Sequence, residues 1–115
     1  MKKVLIIDDD PDIREVIKMI LEDKYEVYEA GSREEGASAF QESAPDLVVL
    51  DIRMPGMDGL EALSQILDRD EKPAVIINSA YSSYKDNFMS WAADAYVVKS
   101  SDLTELKATI KELIG

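Results

Sequence analysis

Residues 1–12 read MKKVLIIDDDPD, a short apolar run that stops abruptly at four acids, Asp8, Asp9, Asp10 and Asp12. A run this brief and rich in β-branched residues suits a buried strand. Asp10 stands directly before Pro11, the arrangement of a helix N-cap followed by proline at the first helical position. The stretch therefore reads as a strand, an acidic loop and the start of a helix. Like charges gathered at a strand exit repel one another unless something positive sits beside them, so the rest of the sequence has to supply that partner.

The same unit repeats along the chain. Apolar runs at residues 3–7, 25–30, 46–50, 73–78 and 95–98 are each followed by a stretch of helical period, placing helices near 11–22, 32–43, 59–69, 82–92 and 102–114. Alternation of this kind is the pattern of a parallel sheet covered on both faces. SREE at 32–35 and DLTE at 102–105 have capping-box spacing, with Ser101 an alternative cap for the last helix. Gly36, inside the second helix, should weaken it by about 1 kcal/mol relative to alanine. No linker or low-complexity tract separates the units, so the expectation is an α/β fold: a single doubly wound (βα)5 domain over residues 1–115 with a five-stranded parallel sheet.

Composition narrows the chemistry. The 115 residues are 46% hydrophobic, enough for one domain with a real core. Thirteen basic residues against 24 acidic ones give a net charge of −11, which disfavours a direct nucleic-acid partner. With neither cysteine nor histidine, disulfides, thiolate chemistry, Cys/His zinc sites and imidazole triads are all excluded. The opening run lacks the length and cleavage site of a signal peptide, so a cytoplasmic protein with no membrane contact is expected.

Right-handed crossovers carry the C-terminal ends of parallel strands to one edge, where open α/β sheets bind ligands. The first strand delivers Asp8 and Asp9 to that edge, the third Asp51, the fourth Ser79 and the fifth Lys99. Three close carboxylates raise one another's pKa, and a hard divalent cation relieves the repulsion. Mg2+ suits the place, since it takes one or two carboxylates and keeps waters that a phosphate can replace. Asp10 and Asp12 are read as solvated loop acids or helix caps.

LIIDDD, VVLDIRMPGMDGLE, NSA and AYVVK fall in this order at the strand ends, and across essentially the whole chain they resemble the receiver domains of two-component response regulators. The resemblance implies a flavodoxin-like sheet of order 2-1-3-4-5. It implies a phosphoacceptor switch of a phosphorelay, in which Asp51 takes a phosphoryl group from a phosphohistidine on a sensor histidine kinase. Asp9 and Asp51 would ligate Mg2+ together with the main-chain carbonyl of Arg53, and Asp8 would hold a coordinated water. Ser79 and Lys99 would contact the phosphoryl oxygens, and Tyr96 would turn inward as Ser79 moves. Such a domain is not an enzyme beyond supporting its own phosphorylation and dephosphorylation.

Output is expected through the face of the fourth helix, fifth strand and fifth helix, to a downstream protein or output domain, from a monomer or a phosphorylation-dependent dimer. Tyr81, Tyr84, Phe88 and Trp91 repeat at helical spacing; Phe88 and at least part of Trp91 read as the core face of the fourth helix, whereas Tyr84, like Tyr96, carries a hydroxyl that tolerates the surface. Two departures from the family pattern stand out. Ser100 follows Lys99 where receivers commonly carry a cis proline, so a trans bond is expected there. Ala92 takes the place of the usual small glycine before the fifth strand. Arg53 and Tyr81 flank the site where receivers tune phosphoryl lifetime. An alternative is a haloacid-dehalogenase-like phosphohydrolase using Asp8 and Asp10 as its Asp-x-Asp pair; another is a receiver-like module that binds without phosphorylation.

Overall fold

The computed structural model describes residues 1–51, 73–79, 94–99 and 103–115. Its strands are β1 (Lys2–Ile7), β2 (Tyr25–Ala30), β3 (Leu47–Leu50), β4 (Ala74–Ser79) and β5 (Ala95–Val98), all parallel, in the order β2-β1-β3-β4-β5. Its helices are α1 (Pro11–Leu21), α2 (Arg33–Ser43) and α3 (Thr104–Ile114). The expected helices at 59–69 and 82–92, with their aromatic stripe, lie outside the described residues, as do Arg53, Ala92, Ser100 and Ser101.

Every strand residue from Val4 to Ile7 and from Leu47 to Leu50 is buried, because each face of the sheet has its own helical cover. Side chains alternate between faces. Leu5, Ile7, Val48, Leu50, Val75, Ile77 and Tyr96 form one core with Phe40 of α2. Val4, Ile6, Leu47, Val49, Ile76 and Val97 form the other, with Ile17 and Leu21 of α1 and Leu106 and Ile110 of α3. Burial of each such Leu or Ile contributes about 1.5–3 kcal/mol, so the doubly covered sheet is the main source of stability.

The helix starts follow their side-chain chemistry. The Asp10 carboxylate accepts from the backbone N–H groups of Asp12 at 3.0 Å and Ile13 at 3.4 Å, with Pro11 opening α1. Ser32 Oγ accepts from Glu35 N at 3.1 Å, while the Glu35 carboxylate reaches back past Ser32 to Gly31 N at 2.7 Å. The last helix begins at Thr104, two residues later than expected. Its N-cap, Leu103, makes no side-chain cap hydrogen bond, since leucine has no acceptor to offer; Asp102, an expected cap, is outside the described residues.

At the N-terminal edge two aspartates clamp neighbouring strands. Asp46 N donates to Lys3 O at 2.8 Å, and Lys3 N donates back to Asp46 Oδ2 at 2.8 Å. Asp94 repeats the device on β4, giving its N–H to Val75 O at 2.8 Å and taking the Val75 N–H on Oδ2 at 2.8 Å.

Gly36 has a packing role that outweighs its poor helix propensity. A Cβ there would meet Ile7 Cδ1 at 2.9 Å and Ile7 Cγ1 at 3.3 Å, so the missing side chain lets α2 lie close on β1. Gly36→Val is expected to destabilise the fold by about 1–3 kcal/mol through overpacking, read as a lower urea midpoint with an unchanged slope. An unchanged or higher midpoint would show that Ile7 yields freely.

Candidate functional site

The backbone ladder itself brings the acids together. Asp8 N donates to Ala30 O at 3.0 Å and Asp51 N to Ile7 O at 2.8 Å, so both residues continue the pairing one step past the ends of β1 and β3. Carboxylate oxygens of Asp8, Asp9 and Asp51 then lie within 4.8 Å of one another. Asp8 is 3% exposed, Asp9 faces solvent and Asp51 is between. Asp8 Oδ1 accepts from Asp10 N at 2.9 Å, which fixes the carboxylate over the turn.

Lys99, just beyond β5, supplies the positive partner the sequence demanded. Its Nζ stands 3.0 Å from Asp8 Oδ2 and 3.0 Å from Asp51 Oδ1. Burial pulls the ammonium's pKa down, but the contacts with Asp8 and Asp51 outweigh it and the net shift is upward. Asp51 also moves up: burial is the main cause, Lys99 opposes it, and the charges of Asp8 and Asp9 add to it. At Asp51, burial and the neighbouring acids therefore outweigh the ammonium.

The donor set fits a hard cation. All three acids offer oxygen, the ligand preference of Mg2+. Asp8 Oδ2 is buried without a hydrogen bond among the described residues, its approach to Lys99 being an ion pair outside hydrogen-bond geometry. A buried anionic oxygen in that condition is costly unless further charge meets it.

Of the other residues expected at the site, Ser79 is the last of β4, opposite Val98 of β5, and its side chain lies outside the description, as does all of Arg53. Tyr96 is 6% exposed and packs within the core cluster of Leu50 and Ile77. Asp10 is committed to capping α1, which leaves an Asp8–Asp10 acid pair without its second member.

The model of the response regulator receiver domain matches residues 4–111. The chain belongs to this family. The receiver is a signalling domain, and the phosphohydrolase alternative finds no support. TrrA of Thermotoga maritima, solved in complex with Mg2+ and BeF, superposes with a TM-score of 0.87 at 44% identity over 99% of this chain and 100% of that one. The same TrrA in complex with the histidine kinase ThkA gives 0.85 at 44% identity, covering 100% of both. The chemotaxis protein CheY of Listeria monocytogenes is 48% identical over 82 residues, 70% of this chain and 69% of its own. The positive alginate biosynthesis regulatory protein of Pseudomonas aeruginosa is 38% identical over 109 residues, 89% of this chain but 44% of that protein. The receiver thus spans less than half the length of the transcriptional regulators it matches. Among its described residues no helix is long and apolar enough to cross a membrane.

Sequence reasoning missed Arg14, whose Nη1 donates to the Asp8 main-chain carbonyl at 2.6 Å. Its partner is backbone, so no pairing of charges along the sequence points to it.

Proposed function

We propose that residues 1–115 act as one receiver unit that accepts a phosphoryl group on Asp51 from a phosphohistidine of a sensor histidine kinase in the cytoplasm. The observation that carries this reading is Lys99 Nζ at 3.0 Å from both Asp8 and Asp51, beside a cluster of three carboxylates at the strand exits. An Asp51 carboxylate oxygen attacks phosphorus in line with the P–N bond. That bond breaks with its electron pair going to the imidazole nitrogen, leaving an acyl phosphate. Phosphoryl transfer needs chiefly positioning and neutralisation of the three equatorial oxygens.

Mg2+, held by the carboxylates of Asp9 and Asp51 and the Arg53 carbonyl with Asp8 on a coordinated water, would supply most of that positive charge. Lys99 supplies the rest, exchanging its contact with Asp51 for one with a phosphoryl oxygen, and Ser79 donates to another. The TrrA complexes, one with Mg2+ and BeF and one with a histidine kinase, support both the ion and the partner class. Incubation with a small phosphodonor and Mg2+, followed by intact mass and mapping of the modified residue, tests the assignment. Modification at Asp8 would favour the phosphohydrolase chemistry, and none at all a module that binds unmodified.

The signal is read out, on this proposal, at the face that includes β5 and α3, by a downstream protein or a second copy of the receiver. Phosphorylation, or a stable phosphoryl mimic, is expected to shift backbone NMR signals of residues 80–105 and of the acid loops more than those of α1 and α2. Larger shifts confined to α1 and α2 would refute that route.

A further inference from the structure

Arg14 has no part in the chemistry above, yet it is anchored at the centre of the acid loop. Its Nη1 gives a 2.6 Å hydrogen bond to the carbonyl of Asp8, and its Nε lies 3.5 Å from Glu29 Oε1 at the end of β2. The side chain is 19% exposed. Room for it comes from Gly31, where a Cβ would stand 2.6 Å from Nη1. The carbonyl it holds belongs to the planar peptide that joins Asp8 to Asp9, so fixing that plane fixes the direction in which Asp9 leaves the strand. We propose that Arg14 is a positioning residue for the cation site, setting the Asp8–Asp9 peptide while Glu29 and Gly31 set Arg14.

A donor from a cationic group makes a stronger hydrogen bond than a neutral one, and arginine sets Nη1 on the carbonyl while its Nε, which makes no hydrogen bond among the described residues, still pairs with the charge of Glu29, a two-point reach that lysine's single ammonium lacks. Two effects of this residue oppose each other, and their signs separate them. As a mere positive charge near the cluster, Arg14 would repel a divalent ion, so its removal would tighten binding. As an anchor of the loop, its removal loosens the acids and weakens binding, by the tenfold or so typical of groups that orient metal ligands.

This inference rests on the cation site proposed above. Calorimetric titration with Mg2+ of the wild type, Arg14→Ala, Arg14→Lys, Gly31→Ala and Lys18→Ala tests it, with metal-free unfolding midpoints measured in parallel. Arg14→Ala is expected to lose about tenfold in Mg2+ affinity, and Arg14→Lys to recover part of it. Gly31→Ala, which displaces the guanidinium while keeping its charge, should also weaken binding. Lys18→Ala removes a cation 3.8 Å from Glu29 but leaves Asp8 untouched, and should bind as the wild type does. Unchanged or tighter binding in both Arg14→Ala and Gly31→Ala overturns the inference, as does a lowered midpoint with unaltered affinity. If Arg14→Ala fails to fold, Gly31→Ala alone decides. Absence of Mg2+ binding in the wild type would instead refute the proposed function itself.

Discussion

Asp51→Asn is expected to reduce phosphorylation by a small phosphodonor to background while the protein stays folded. Asparagine matches aspartate in shape, but its amide has no anionic oxygen for attack on phosphorus, so the loss should be complete. The same substitution removes one of three crowded carboxylates, the one whose burial and acidic neighbours already disfavour its charge, so metal-free Asp51→Asn should unfold at a higher temperature than the wild type. Added Mg2+ should raise the wild-type midpoint by linkage and raise that of the variant far less. Full modification of Asp51→Asn, mapped to another residue, would refute the assignment of the acceptor.

Lys99→Ala is the second large effect, and here the structure alters what sequence alone suggests. From sequence, a lysine at this strand end is expected to matter more to the phosphorylated state than to folding. In the structure it is already paired with both Asp8 and Asp51, whose side chains are 1% and 5% exposed. Breaking a fully buried pair costs roughly 3–5 kcal/mol; with the lysine side chain 21% exposed, a loss of about 2 kcal/mol is expected at neutral pH. The pH dependence has a definite sign. Asp51 has a folded pKa above its ordinary value, so protonation favours the fold, and the deficit should shrink as pH falls through that value. Mg2+ should restore part of the loss at neutral pH, whereas coupling of modification to conformational change should stay broken. Equal stability of Lys99→Ala and wild type in metal-free buffer would show the ion pairs to be energetically idle.

Strand positions and faces were legible because a sheet covered on both sides leaves continuous apolar runs such as LVVL, and the period of two sorts their residues without further information. Asp10 and Ser32 were legible as caps because capping is local chemistry, settled within three residues. The convergence of Asp8, Asp9, Asp51 and Lys99 followed from topology, since parallel strands share one exit edge. What escaped was fixed by geometry that no local pattern encodes. Arg14 reaches a backbone carbonyl. Gly36 answers to the shape of Ile7 across two elements, and the start of the last helix depends on a cap that Leu103 cannot provide.

The pairing of Asp94 with Val75 bears on Lys99 at the far end of the same strand. Lys99 lies five positions after Asp94, about 17 Å of extended chain, and no turn intervenes to absorb an error. A slip of one residue between β4 and β5 would carry the ammonium some 3.3 Å along the strand axis and turn Tyr96 out of its core onto the opposite face. Asp94 therefore works as a datum mark from which the position of Lys99 is measured off. Through it, the tolerance of the charged edge is set at the opposite edge of the sheet.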